Sequence, residues 1–190
     1  AYGIRDVVDL RRADEDLQFP SVLAKTPGFT VHGISLNNSV HGVDFEGDVP
    51  GSMAGLYMML LDVAQEEICQ VMQTMADAPA GVLFHCAVGK DRTGVIAMLL
   101  LKLAGVPDAD VVADYAITEI YMDEMYNAQR SVFSQQELPD YILRSRPSSM
   151  QRVLRHLRET YGTAQEYLQK IGLPSPAITA LLDKLVEPAE

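Results

Sequence analysis

The chain has 190 residues, 48% of them hydrophobic, with a formal charge of -11, two cysteines and no tryptophan. That length and apolar content suit a single domain over 1–190 with a core of its own, of which 148–190 form a C-terminal helical part. The acidity excludes nucleic acid and an anionic membrane as default partners, because phosphate contacts need a basic surface; any phosphate recognition has to be local.

Two cysteines supply no disulfide framework, which favours a reducing compartment and a cytoplasmic location, with secretion as an effector left open. No apolar run is long enough to span a bilayer, since Ile96 to Leu101 is interrupted by Lys102. The chain opens on Ala1 inside a strand-like stretch, so a segment upstream of it is expected.

Taken in order, Asp6 to Leu10 is an apolar run read as a core strand, followed by a charged turn of Arg11, Arg12, Asp14, Glu15 and Asp16. The arginines there are read as solvated or paired with those acids. Gln18 to Gly28 is loop with one helical turn, and Thr30 to Leu36 is a second strand. Asn37 to Gly51 is a long polar, acidic loop of the kind that is functional or disordered. Ser52 caps one long helix from Met53 to about Ala78, in which Leu56, Leu60, Val63, Ala64, Ile68, Val71, Met72 and Met75 recur at helical spacing. Its methionines fill core, and Cys69 is a helix-packing cysteine in preference to a protective partner for Cys86.

The stretch from Val82 to Gly94 organises the rest. Val-Leu-Phe-His reads as a short buried central strand, a loop with Gly89 follows, and Thr93 to Leu103 is a helix apolar on nearly all faces. A cysteine at the strand end, five residues, then an arginine at a helix start form a nest for a tetrahedral dianion, with the sulfur at its floor. Such a nest depresses the thiol pKa, so Cys86 is the candidate nucleophile toward phosphorus. Arg92 offers a planar fork to two phosphate oxygens, and Thr93 offers a hydroxyl to the departing sulfur. The cradle comprises His85, Ala87, Val88, Gly89, Lys90 and Thr93. Within it His85 orients the loop by hydrogen bonds and is not a base. Lys90 and Asp91 would be costly in a core but make sense around an anion.

Gly105 and Pro107 close that helix, and Asp108 to about Arg130 forms the next, with Asp114 and Tyr115 in it. Ser131 to Pro147 is irregular. Ser148 caps a helix to Tyr161 with a basic face of Arg152, Arg155, His156 and Arg158, and two short helices follow, Ala164 to Ile171 and Pro176 to Val186. His32, His41 and His156 show no metal-ligand spacing, and neither a metal nor another cofactor is called for.

His85-Cys-Ala-Val-Gly-Lys-Asp-Arg-Thr-Gly94 resembles the signature loop of the atypical bacterial tyrosine and phosphoinositide phosphatases. Val8 to Arg11, Val111 to Tyr115, Tyr161 to Leu168 and Gly172 resemble other segments of that family. The resemblance implies an α/β protein-tyrosine-phosphatase-like fold with a central, mostly parallel sheet flanked by helices. It also implies metal-free hydrolysis of phosphotyrosine, with phosphoserine, phosphothreonine and phosphoinositides as further substrates, and a role for Arg11 in bracing the loop. The aspartate that acts as general acid in better-known relatives falls by resemblance at Asn38, whose amide cannot give a proton. Asp91 is therefore the preferred proton donor, as in lipid phosphatases that place an aspartate directly before this arginine, with Asp44 and Asp48 as alternatives. Asn38 equally favours a rival reading, a pseudophosphatase that binds phosphorylated ligands without turnover. An arsenate-reductase or sulfur-transferase use of the loop is disfavoured by Lys90. The sequence does not fix the oligomeric state.

Overall fold

A computed structural model describes residues 3–36, 52–122 and 144–186. Its sheet is built on β1, Asp6–Asp9, flanked in parallel by β2, Thr30–Gly33, and β3, Val82–His85, in the order β2-β1-β3. Val7 and Val8 point to opposite faces of the sheet and both are fully buried, so both faces of β1 are covered. β3 is therefore an edge strand among the described residues and not the central one expected, and its Leu83 is 38% exposed. Three apolar residues and a histidine read alike at the edge and at the centre of a sheet, and only the pairing partners distinguish them.

The chain passes from β1 to β2 and then, through helices, to β3 on the far side of β1. Where successive connections leave a strand in opposite directions, the carboxyl ends open a crevice between them. Here that crevice lies between β1 and β3, whose last residues, Asp9 and His85, stand in register. Cys86 is the first residue beyond it.

The charged stretch after β1 is a short helix, α1, Ala13–Gln18, and not a turn. Its start is fixed by Glu15, which accepts from the Arg12 N–H at 2.9 Å, and three acids in the first turn suit the positive end of the helix. The single helical turn expected before β2 is a 3-10 turn at Val22–Lys25.

The expected long helix is two, α2, Met53–Val63, and α3, Gln65–Asp77. The break falls at Ala64 (φ -89, ψ 35), where the buried Tyr167 hydroxyl donates to the Leu61 carbonyl at 2.8 Å. A side-chain donor entering the backbone ladder is a recognised cause of such a break. Ser52 does cap α2, its Oγ accepting from the Gly55 N–H at 3.2 Å. Met53, Met72 and Met75 are buried as core filling, whereas Val63 lies exposed beside the break.

α4, Arg92–Leu103, buries Val95, Ile96, Met98, Leu99, Leu100 and Leu103 and packs on β3. Gly105, at φ 81, provides the left-handed step that ends it. α5, Asp108–Ala116, is shorter than expected; it stops at Ile117, and 118–122 are helical again. The remainder of that predicted helix and most of the irregular stretch lie outside the described residues.

α6, Pro147–Tyr161, starts two residues earlier than expected, with Pro147 in its first turn and Arg146, not Ser148, at the N-cap. Met150, Val153, Leu154 and Leu157 bury against α2 and α5. The basic face looks outward, with Arg158 paired to Asp108 and His156 to Asp62. α7, Ala164–Lys170, packs on α4, and α8, Ser175–Leu185, packs on α3. No helix among the described residues is long and apolar enough to cross a membrane.

Candidate active site

The loop from His85 to Arg92 is anchored at both ends by backbone bonds. The Leu10 N–H donates to the His85 carbonyl at 2.8 Å, and the Gly94 and Val95 N–H groups bond back to Lys90 and Asp91. Between these anchors Gly89 adopts φ 79, a left-handed turn that only glycine takes without strain. The turn aims the Gly89 N–H at the Cys86 sulfur, 3.3 Å away.

Cys86 is 7% exposed, while Ala87, Val88 and Gly89 form an exposed lip above it. Burial alone would push its thiol up. The Thr93 hydroxyl and N–H, the Arg92 guanidinium and the Val88 N–H together overcome that and hold it below the ordinary thiol value. Thr93 Oγ1 is buried and has no hydrogen bond of good geometry among the described residues, so its dipole acts on the sulfur without an aligned bond.

Arg92 opens α4, and its donors can be counted. Nη1 and Nη2 form a fork on Glu15, at 2.6 and 2.8 Å, and Nη1 also reaches the Leu10 carbonyl at 3.4 Å. A guanidinium carries five N–H donors. Among the described residues three are used, and the other two, on Nε and Nη2, lie parallel along one edge, the shape that grips two phosphate oxygens. In the sequence Glu15 is one of a run of acids on a charged stretch, with nothing to single it out. The Arg92 fork is the main reason its carboxyl is held down at about 2.

His85 Nδ1 donates to the Cys86 carbonyl at 3.0 Å, and its Nε2 stands 3.8 Å from Asp9. Because a carbonyl only accepts, Nδ1 carries the hydrogen, and the ring fixes the loop. Asp9 is buried; burial would raise its carboxyl, and the Arg11 hydrogen bonds more than offset this. Arg11 donates to Asp9 at 2.6 Å and to Asp16 at 2.8 Å, and Arg12 pairs with Asp14. The pairing read from sequence is present. Among the described residues, Arg11 reaches the loop only through Asp9 and His85.

Lys90 does not face outward: its side chain is 2% exposed, with Nζ at 3.5 Å from both Asp91 Oδ1 and the Arg144 carbonyl. Asp91 Oδ1 also accepts the Tyr57 hydroxyl at 2.6 Å. Cys86, Arg92, Asp91, Lys90, Thr93 and His85 are thus gathered at one end of the sheet. Asn38, Asp44 and Asp48 lie outside the described residues. No group of His, Cys, Asp or Glu among the described residues is arranged to hold a metal.

A profile of the tyrosine phosphatase family matches residues 1–187. The chain belongs to that family. It is a protein-tyrosine phosphatase, a phosphoric monoester hydrolase. It is similar to a tyrosine-protein phosphatase of Nostoc commune, 35% identical over 97% of this chain and 67% of the relative. It is also similar to the triple specificity protein phosphatase PtpB of Mycobacterium tuberculosis, at 28% identity over 62% of this chain and 48% of that protein. A putative tyrosine-protein phosphatase of Cupriavidus necator shares 56% identity over 34 residues, 18% of this chain and 12% of that protein. The chain therefore spans about two thirds of the first of these relatives and about half of the second.

Proposed function

We propose that the phosphatase works through a cysteinyl-phosphate on Cys86. The thiolate attacks phosphorus, the S–P bond forms as the bond to the leaving oxygen breaks, and Asp91 protonates that oxygen. Water then attacks the intermediate, Asp91 takes its proton, and the sulfur leaves as thiolate while Thr93 faces it. Arg92 and the N–H groups of the loop hold the three equatorial oxygens through both steps. The observation carrying this reading is a buried sulfur under an inward N–H, beside a guanidinium with two parallel donors unused among the described residues.

Rapid quenching of a reaction with a phosphotyrosine peptide should trap phosphate on the peptide that contains Cys86. Turnover surviving in Cys86→Ser, or phosphate trapped on another residue, would defeat the proposal. Asp91→Asn should slow esters with poor leaving groups far more than p-nitrophenyl phosphate. Equal losses would hand the role to Asp44 or Asp48.

The likeness to a triple-specificity enzyme supports a wider range of phosphoesters, phosphoserine and phosphothreonine included. A phosphoinositide substrate draws support from a cavity of ~230 Å3 lined by Arg144, Arg146, Arg152 and Ser52, since a multiply phosphorylated headgroup needs more cations than one phosphotyrosine. The buried Lys90 supports it less than its place in the sequence suggested. Arg152→Ala should lower kcat/KM on a phosphoinositide and spare a phosphotyrosine peptide; parallel losses would remove this second activity.

A further inference from the structure

We propose that Tyr57, with Tyr115 behind it, is a positioning residue for the Asp91 carboxyl. The inference rests on Asp91 as the proton donor and adds to that reading the groups that hold it in place.

Tyr57 lies on α2, thirty-four residues from Asp91 in sequence, and is fully buried. Its hydroxyl donates to Asp91 Oδ1 at 2.6 Å and lies 2.8 Å from the Tyr115 hydroxyl. The two rings meet edge to face at 5.8 Å. Tyr115 in turn packs against the start of α4, where a Cβ on Gly94 would come within 3.5 Å of its ring. The pair thus ties α2 and α5 to Asp91, the N-cap residue of α4.

The direction of each bond follows from counting hydrogens. A carboxylate only accepts, so Tyr57 spends its single hydrogen on Asp91, and Tyr115 must donate to Tyr57. Both phenols keep those hydrogens: burial pushes Tyr57 well above the ordinary tyrosine value and Tyr115 up to about 12.

The Tyr57 hydroxyl and the Lys90 ammonium both address Oδ1. Oδ2 is left as the carboxyl oxygen with no hydrogen bond among the described residues, on a side chain 31% exposed. A proton carried on Oδ2 leaves Oδ1 a carbonyl oxygen that still accepts from Tyr57. The same bond therefore persists whether Asp91 is the acid of the first step or the base of the second, and nothing has to reorient between them. Without it Oδ1 is left to the longer Lys90 contact at 3.5 Å, which holds the short side chain less firmly, and Oδ2 loses its fixed aim.

The experiment measures kcat/KM for a series of aryl phosphates of rising leaving-group pKa in wild type, Tyr57→Phe, Asp91→Asn and the double variant. kcat/KM reports the first chemical step, where the proton is given. Tyr57→Phe keeps the ring in the core and removes only the hydroxyl. It should lose roughly tenfold on the poorest leaving groups and less than about threefold on p-nitrophenyl phosphate, part of the 10²–10⁴ that a general acid supplies. The double variant should be no slower than Asp91→Asn alone, and inhibition by inorganic phosphate should stay within about twofold, since the cradle is intact. Tyr115→Phe, which removes the donor to Tyr57, should show the same pattern more weakly, and it serves if Tyr57→Phe does not fold. A steep leaving-group dependence in Asp91→Asn with a wild-type slope in both tyrosine variants overturns the tyrosine inference alone. So does a double variant whose losses multiply. A wild-type slope in Asp91→Asn overturns the proton-donor reading, and this inference falls with it.

Discussion

Glu15→Gln isolates the brace behind Arg92. The substitution keeps the shape of the side chain and one acceptor oxygen, but it puts an N–H2 against a guanidinium N–H where a carboxylate oxygen had been. The hydrogen bonds from Arg92 are the largest cause holding the Glu15 carboxyl at about 2 against an ordinary value of 4.5. At about 1.4 kcal/mol per unit, that difference is worth roughly 3 kcal/mol for all the groups that favour the ionised form, the Arg12 N–H and charge included, and so sets an upper bound on the Arg92 pair. Both side chains are mostly buried, Arg92 at 11% and Glu15 at 21% exposure, so solvent screening takes only part of this away. Unfolding by denaturant at neutral pH should then show a loss of roughly 2–3 kcal/mol. If half of the pair energy holds the free edge of the fork in its reactive pose, kcat/KM falls roughly tenfold. The pH dependence has a definite sign. A carboxyl whose folded-state value is depressed contributes fully above its unfolded value near 4.5, and the contribution is lost as pH falls through about 2. The stability gap between wild type and Glu15→Gln should therefore be widest above pH 4.5 and close toward pH 2. A gap that stays constant across that range, or a kcat/KM within twofold of wild type, would refute the reasoning.

The two cysteines provide an internal comparison: iodoacetamide should label Cys86 at a lower pH than Cys69, whose thiol burial pushes up, and mass spectrometry resolves the two. Labelling of both at the same pH would remove the thiolate from the mechanism. Gly89→Ala meets no atom within 4 Å, but it forces an alanine to φ 79, which costs about 1–2 kcal/mol. The strained loop should withdraw its N–H from the sulfur and move Cys86 labelling to higher pH; an unchanged profile would show that the N–H is dispensable. Tyr167→Phe leaves the buried Leu61 carbonyl without its hydroxyl donor and should destabilise the fold by about 1–3 kcal/mol with catalysis retained. A loss below about 0.5 kcal/mol, the scale of ordinary surface changes, would show that the bond does not hold the break between α2 and α3. Finally, a dianionic substrate approaching a chain of charge -11 is repelled at long range. kcat/KM should rise between roughly 0.01 M and 0.15 M of a weakly coordinating salt as the screening length shortens, and a fall would mean that local cations steer the encounter.

What the sequence made legible was the chemistry whose parts are contiguous. Cys86, Gly89, Arg92 and Thr93 fall within eight positions, and a strand before them and a helix after them are enough to fold that stretch into a cradle. The supports were not legible, because each comes from elsewhere in the chain. Glu15 meets Arg92 across 77 positions, and in the sequence it is one acid among several on a charged stretch. Tyr57 is not among the residues singled out at helical spacing in α2, and nothing in the sequence says where its hydroxyl goes. The break between α2 and α3 depends on a donor 106 residues away, so local propensity reads straight through it. The edge position of β3 is likewise a property of pairing and not of the four residues themselves.

The same distinction accounts for how so acidic a chain can hold a phosphate. Among the described residues the carboxylates nearest the loop are all engaged: Asp9 with Arg11, Glu15 with Arg92, and Asp91 with Tyr57 and Lys90. Glu15 sits behind the guanidinium, so the incoming dianion meets the cation first, together with the N–H groups that open α4 and the positive end of its dipole. Charges elsewhere on the surface lie in water and fade beyond about 8 Å at physiological salt. Total charge therefore governs the approach, while the arrangement of a few paired groups governs capture. An acidic composition argues against an extended polyanion, which must touch many phosphates at once, and leaves a single phosphoryl group in a pre-built cradle untouched by that argument.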